Sequence, residues 1–267
     1  MGQRIIDFHT HAFPEALASR AMKTLMAEAP GIKAYLDGTV ADLLRSMDKA
    51  GIEKSVVCCI ATKPEQFEPI LRWCVAIRSE RLIPFPSVHP ADPACADGIR
   101  RIRAEGFQGI KLHPFYQDFF ADEDRMFPLY EETAHQGLLL VMHTGYDIAF
   151  PRIRRADPEK LLGIAETFPE LKLVTTHLGA WRQWDEVCRH LLGRKIYMEM
   201  SFALDELGPE RAREMILGHP DSYMLFGTDS PWTDQAGTLT LLENLHVPQK
   251  KLTQILAGNA LRLLGLG

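Results

Sequence analysis

The stretch IIDFHTHAF, residues 5–13, is an apolar run that ends in two histidines two residues apart. Read as an extended segment, it puts the side chains of His9 and His11 on one face, side by side where a strand stops. Two neutral imidazoles aimed at one point suit a divalent metal. The other reading is a pair of hydrogen-bonded histidines at a strand end. The choice depends on whether the chain repeats this unit, an apolar strand with polar groups at its C-terminal end.

It does repeat. RIIDF from Arg4 is followed by KSVVCCI from Lys54, LIPFPSV from Leu82, GIKL from Gly109, LLLVMH from Leu138, LKLVTTH from Leu171, KIYMEMS from Lys195 and YMLFGT from Tyr223. Amphipathic runs between them predict helices over 39–50, 64–79, 93–104, 125–135, 158–167, 182–192, 209–217 and 235–245. PQKKLTQILAGNALRLLG predicts a closing helix, and 14–29 an extra helix over the mouth. In HPADP and ADPEK an Asp precedes a Pro suited to the first helical position. Repeated strand and helix alternation favours a parallel sheet. Eight units in this length predict an α/β protein of the (β/α)8 TIM-barrel class. The glycine-rich phosphate loop of a dinucleotide fold does not follow the first strand.

The 267 residues are expected to form a single barrel domain over 1–267, since such barrels commonly reach about 200 to 250 residues as one unit. Hydrophobic residues make up 46% and charged residues 24%, an ordinary globular composition. A net charge of -5 gives no general attraction to phosphate backbones, so nucleic acid is not an expected partner. No apolar stretch approaches the roughly 18 residues needed to span a bilayer. The polar start MGQRIIDFH carries no basic leader or apolar signal core. Gly2 follows Met1, but Ile6 stands where a myristoylation signal needs Ser or Thr. The expected location is the cytoplasm. The five cysteines, at 58, 59, 74, 95 and 188, are an odd number without a pairing framework and read as reduced side chains rather than a zinc-thiolate site.

In barrels of this kind the reactive groups sit at the C-terminal ends of the strands. Strand 1 delivers His9 and His11; strand 4, Lys111 and His113; strand 5, His143; strand 6, His177; strand 8, Asp229. Any one of these is ordinarily a hydrogen-bonded structural residue, and Asp229 in GTDSPW reads equally as a turn cap. Together, on one rim, they point to a metal site.

At this point the chain resembles the amidohydrolase superfamily, specifically the amidohydrolase-2 branch that includes aminocarboxymuconate semialdehyde decarboxylase. The resemblance rests on IIDFHTHAF, GIKLHP, VMHTG, TTHLGA, FGTDSPW and the closing GNALRLLG, and covers nearly the whole chain. It implies that His9, His11 and His143 bind one divalent metal with Asp229. His177 would stand beside the ion as acid, base or oxyanion stabiliser, and Asp229 would also accept a proton. Three imidazoles and one carboxylate leave a divalent ion with net positive charge, which makes it a Lewis acid that acidifies bound water. Zinc is the default; manganese, iron or cobalt also fit.

Lys111 admits other arrangements. Some amidohydrolases bridge two metals with a carboxylated lysine from strand 4, and His143 and His177 would then hold the second ion. An uncarboxylated Lys111 would bind a substrate carboxylate or pair with an acid in the barrel. The branch resemblance favours one metal. His113, Tyr116, Arg152, Trp181 and Trp232 are candidate substrate contacts: the arginines of FPRIRRADP because a guanidinium fork suits a carboxylate, and the aromatic residues, with Phe202, as a wall against an unsaturated acid. Glu199 in YMEMS is a candidate acceptor behind a ligand histidine.

The function expected from these residues is a metal-dependent hydrolase acting on a small organic acid, lactone, ester or amide. A lyase of the same branch, a decarboxylase or hydratase of an unsaturated carboxylic acid, would use the same groups. A metal-dependent nuclease of the TatD type shares the opening but not THLGA or GTDSPW, and a non-catalytic metabolite-binding barrel would not need every ligand. The expected partner is a small carboxylate, with no membrane; a homodimer is compatible with the resemblance.

Overall fold

A computed structural model describes residues 3–266; Met1, Gly2 and Gly267 lie outside it, and with them the question of a lipid at Gly2. Eight parallel strands follow one another: β1 (Ile6–Thr10), β2 (Lys54–Cys58), β3 (Leu82–Phe85), β4 (Gly109–Leu112), β5 (Leu139–Met142), β6 (Lys172–Thr175), β7 (Tyr197–Glu199) and β8 (Met224–Leu225). Regular pairing joins β1 to β3 in one run and β4 to β8 in another. Isolated backbone hydrogen bonds stitch the two seams. Lys111 N donates to Pro86 O at 2.9 Å across β3 and β4, and Phe8 N donates to Phe226 O at 2.8 Å across β8 and β1. The seam beside β3 is irregular for a local reason: Pro84 and Pro86 have no N–H to donate. The (β/α)8 barrel expected from the alternation is the observed fold.

The helices are α1 (Glu15–Glu28), α2 (Val40–Ala50), α3 (Phe67–Ile77), α4 (Cys95–Ala104), α5 (Phe127–His135), α6 (Pro158–Thr167), α7 (Trp184–His190), α8 (Leu204–Leu207), α9 (Pro209–Gly218), α10 (Gln235–Asn244), α11 (Gln249–Thr253) and α12 (Asn259–Leu264). The Pro158 start holds. The expected start at Pro93 moves to Cys95, because Asp92 caps a turn instead: its side chain accepts from Ala94 N at 2.9 Å and its carbonyl from Cys95 N at 3.0 Å. The long runs at 64–79 and 125–135 each begin with a 3-10 turn, and the closing helix is divided by a π-helical turn at Gln254–Gly258. The short α8 was not foreseen.

Two apolar layers result. Outward-facing Ile110, Leu112, Leu140 and Met142 pack under the helices, while inward-facing Ile6, Phe8, Phe85, Leu139 and Val141 fill the barrel with Ala257, Ala260 and Leu264 of the closing segment. Gly109 is needed beside this inner layer, since a Cβ there would lie 2.4 Å from the Phe85 ring. Cys58, Cys59 and Cys74 are buried, and all five cysteines are free thiols. Among the described residues, no helix is long and apolar enough to cross a membrane.

Candidate active site

The parity of β1 alone would send Phe8 and His9 to opposite faces, yet both point into the barrel. Pairing with β2 shifts register between Asp7 and Thr10, and this irregularity turns the end of the strand inward. His9 Nε2 and His11 Nε2 then lie 3.1 Å apart. Asp229 Oδ1, from the loop after β8, is 3.1 Å from His11 Nε2 and 3.5 Å from His9 Nε2. Asp229 N donates to His9 O at 2.7 Å, which fixes that loop on β1.

The tautomers follow from the partners. His9 Nδ1 faces Glu199 Oε1 at 3.0 Å and His11 Nδ1 faces Cys58 O at 2.8 Å. Both acceptors require an N–H, so both Nε2 atoms of the neutral rings carry lone pairs. Burial first, then the nearby Lys111 charge, holds the His9 pKa well below its usual value. Two imidazole lone pairs and a carboxylate oxygen therefore converge, with the Lys111 ammonium against His9 Nε2, an arrangement that a metal cation also relieves. Burial alone would push the Asp229 carboxyl up; positive charge on the neighbouring His9 and His11 rings reverses this and holds it low, and a bound cation would supply the same positive field between the neutral rings.

A second pair of rings repeats the pattern. His177 Nδ1 donates to Ser201 O at 2.9 Å and His143 Nε2 donates to Tyr146 O at 3.0 Å. Their remaining nitrogens, His177 Nε2 and His143 Nδ1, face each other at 3.1 Å. The structure thus brings His9, His11 and Asp229 into one metal-capable group, while His143 falls in a second, with His113 and Asp147, and turns its Nδ1 to His177. Lys111 is fully buried and its Nζ donates to His9 Nε2 at 3.1 Å. Among the described residues no ion pair to a carboxylate involves Lys111.

His113 stacks on His143, with centroids 4.1 Å apart, and its Nε2 lies 3.4 Å from Asp147 Oδ2. Burial holds both rings well below the ordinary histidine range. Tyr116, pushed upward by burial and by the Asp147 carboxylate, Trp181 and Trp232 line the same cavity. The structure does not bring Arg152 there: its guanidinium lies 5.7 Å from the Tyr146 ring centroid, outside the cavity lining. Arg154 is engaged by Glu186 and Asp157, and Arg155 by Asp118.

Sequence reasoning missed Asp7, Ser201 and Asp147. Asp7 is fully buried and accepts from Thr228 Oγ1 at 2.6 Å, Gln235 Nε2 at 2.7 Å, Thr228 N at 3.0 Å and His9 N at 3.2 Å. Burial pushes its carboxyl up to about 7 against these bonds. A charged residue within IIDFH was the available signal. Asp229 and His177 have φ of 65° and 59°, a left-handed backbone that costs about 1 to 3 kcal/mol per non-glycine residue and clusters at functional sites. Trp184 Nε1 supports the second by donating to His177 O at 3.0 Å.

The amidohydrolase family model matches residues 6–266. The chain belongs to the amidohydrolase family. Members of the family are metal-dependent enzymes. Among curated proteins it is 30% identical to a dihydroorotase of Pseudomonas syringae pv. syringae over 157 residues, 54% of this chain and 45% of that one. A dihydroorotase of Azotobacter vinelandii is 27% identical over 183 residues, 64% and 47% of the two chains. The chain spans about half the length of the curated relatives it matches. Among solved structures it resembles an uncharacterised TIM-barrel protein from Bordetella bronchiseptica, with TM-score 0.78, 21% identity and coverage of 98% and 99%. It also resembles 5-carboxyvanillate decarboxylase from Sphingomonas paucimobilis, with TM-score 0.74, 16% identity and full coverage of both chains. A dihydroxybenzoic acid decarboxylase from Polaromonas, solved with bound manganese, has TM-score 0.71, 16% identity and coverage of 99% and 98%. At these identities the structural likeness concerns the fold.

Proposed function

We propose that the protein is a metal-dependent hydrolase that opens a carbonyl–oxygen or carbonyl–nitrogen bond in an organic acid derivative, a lactone, ester or amide. The observation that carries this reading is the convergence of two tautomer-locked Nε2 lone pairs and the Asp229 carboxylate. His9, His11 and Asp229 would hold the ion, and two nitrogens with one oxygen suit zinc first, with manganese, iron or cobalt as alternatives. When bound, such an ion supplies Lewis acidity at a carbonyl oxygen and lowers the pKa of water. Because Asp229 is held low, it serves better as a ligand than as a base. His177, anchored by Ser201, presents Nε2 as the acceptor for a proton of the attacking water, and Lys111 offers a cation to the negative charge that develops on the substrate. Residues 1–267 are taken as one catalytic domain, and the buried thiols favour a reducing compartment such as the cytoplasm.

A second reading has its own support. His143 Nδ1 and His177 Nε2 are also opposed lone pairs, and Lys111 lies beside the first group without an acid. Two ions, with a carboxylated Lys111 contributing an anionic oxygen, would satisfy all of these groups, and the curated relatives are dihydroorotases. The test is metal content per chain in the native protein and in Lys111→Ala. One ion in both supports the first reading; two falling to one supports the second; none in either would end both. Released carbon dioxide from an unsaturated acid, in place of water uptake into a cleaved bond, would move the reaction to the lyase class.

A further inference from the structure

The cavity above the metal-capable group has a volume of about 620 Å³. At about 30 Å³ per water-sized unit, that is room for roughly 20 non-hydrogen atoms. A single-ring aromatic acid fills about half of it. The strand ends contribute His9, Lys111, His113 and Asp229 as the cavity floor, whereas Leu17 and Leu25 of α1, Ile70 and Trp73 of α3, and Phe202 and Trp232 make the rest of the lining largely apolar, with Arg20, Thr24 and Glu28 of α1 as polar exceptions. Two lining side chains at the rim are large, apolar and open to solvent, Leu17 at 43% and Ile148 at 40% exposure. A bound apolar group would cover them.

The walls are also poor in the groups a compact dicarboxylate needs. Lys111 is the buried cation of the lining, and the one lining arginine, Arg20, is exposed on α1. Leu17, Ala21, Thr24, Leu25 and Glu28 recur at helical spacing, so α1 turns one continuous face to the cavity.

We propose that this site takes an amphiphilic substrate. Its reacting carbonyl or carboxyl group lies on the floor, and an extended acyl or aryl body runs outward between α1 and α3. The inference rests on the functional reading above only for the identity of the floor. Binding of butanoate, hexanoate, octanoate and decanoate to the zinc-loaded protein, measured by calorimetry, tests it. Burial of each added methylene should raise affinity about fourfold. A flat series overturns the proposal. Ile70→Glu should weaken decanoate binding at least tenfold; if circular dichroism shows that variant misfolded, Trp73→Ala should reduce the slope of the series instead. An unchanged slope in a folded variant also counts against the proposal. Repeating the series in chelator separates the two readings. A slope that persists without metal supports the amphiphile even if the metal chemistry fails, whereas turnover of compact acids with a flat series overturns the amphiphile and leaves that chemistry standing.

Discussion

Glu199 has both carboxylate oxygens engaged inside the barrel. Oε1 takes His9 Nδ1 at 3.0 Å, His177 N at 3.1 Å and Ser201 Oγ at 2.8 Å, and Oε2 takes Ser201 N at 2.7 Å. Gly227 makes this packing feasible, because a Cβ there would lie 2.2 Å from Oε2. One carboxylate therefore sets the His9 tautomer and the His177 backbone together. Glu199→Gln should lower zinc affinity about 10- to 100-fold, the usual effect of losing an acceptor behind a ligand histidine, as read by competition with a chromophoric chelator. His219 offers a separate test of burial. Its Nε2 donates to Ile196 O at 2.8 Å, and burial lowers its pKa from 6.5 to about 4. Between those values the unfolded chain binds the extra proton, so the contribution is complete above 6.5 and is lost as pH falls. The native protein should lose roughly 2 kcal/mol more between about pH 7 and pH 5 than His219→Gln does, measured by urea unfolding.

The loops after β5 and β6 behave as one element. Trp181 N donates to Thr144 O at 2.9 Å, Tyr146 N to Trp181 O at 3.1 Å and Gly145 N to Ala156 O at 2.9 Å. Gly145 has φ of 88°, and a Cβ on it would lie 2.1 Å from Trp181 N. Gly145→Ala should cost about 2 kcal/mol or more in urea unfolding and reduce kcat, because the same loops carry His143 and His177. The existence of β5 and β6 was readable from LLLVMH and LKLVTTH, since apolar runs bounded by turn residues are a local signal. The exchange of hydrogen bonds between their loops was not, because it joins residues with no sequence pattern in common. Likewise Pro158 marks a helix start where Pro93 does not, since at Asp92 the turn captures the N–H groups that a cap would have taken.

At the level of the whole molecule, β1 and β8 meet only through closure of the barrel, so His9, His11 and Asp229 form a binding site in the folded chain alone. A ligand that binds only the native state stabilises it by mass action. Zinc at about 100 times its Kd should add about 2.7 kcal/mol, seen as a higher Tm that chelator reverses and that His11→Asn abolishes. An equal shift in that variant would place the ion elsewhere.

The sequence by itself determined the barrel and the kinds of donor at its rim. Alternating apolar runs, helix starts and the residue types after each strand are local properties, readable from spacing and chemistry. Only the tertiary structure decided which lone pair each histidine presents, that His143 turns to His177, that Arg152 stays outside the cavity, and that the walls above the floor are largely apolar. Those outcomes depend on a register shift in β1 and on distances between segments far apart in the chain, and short-range pattern carries no information about either.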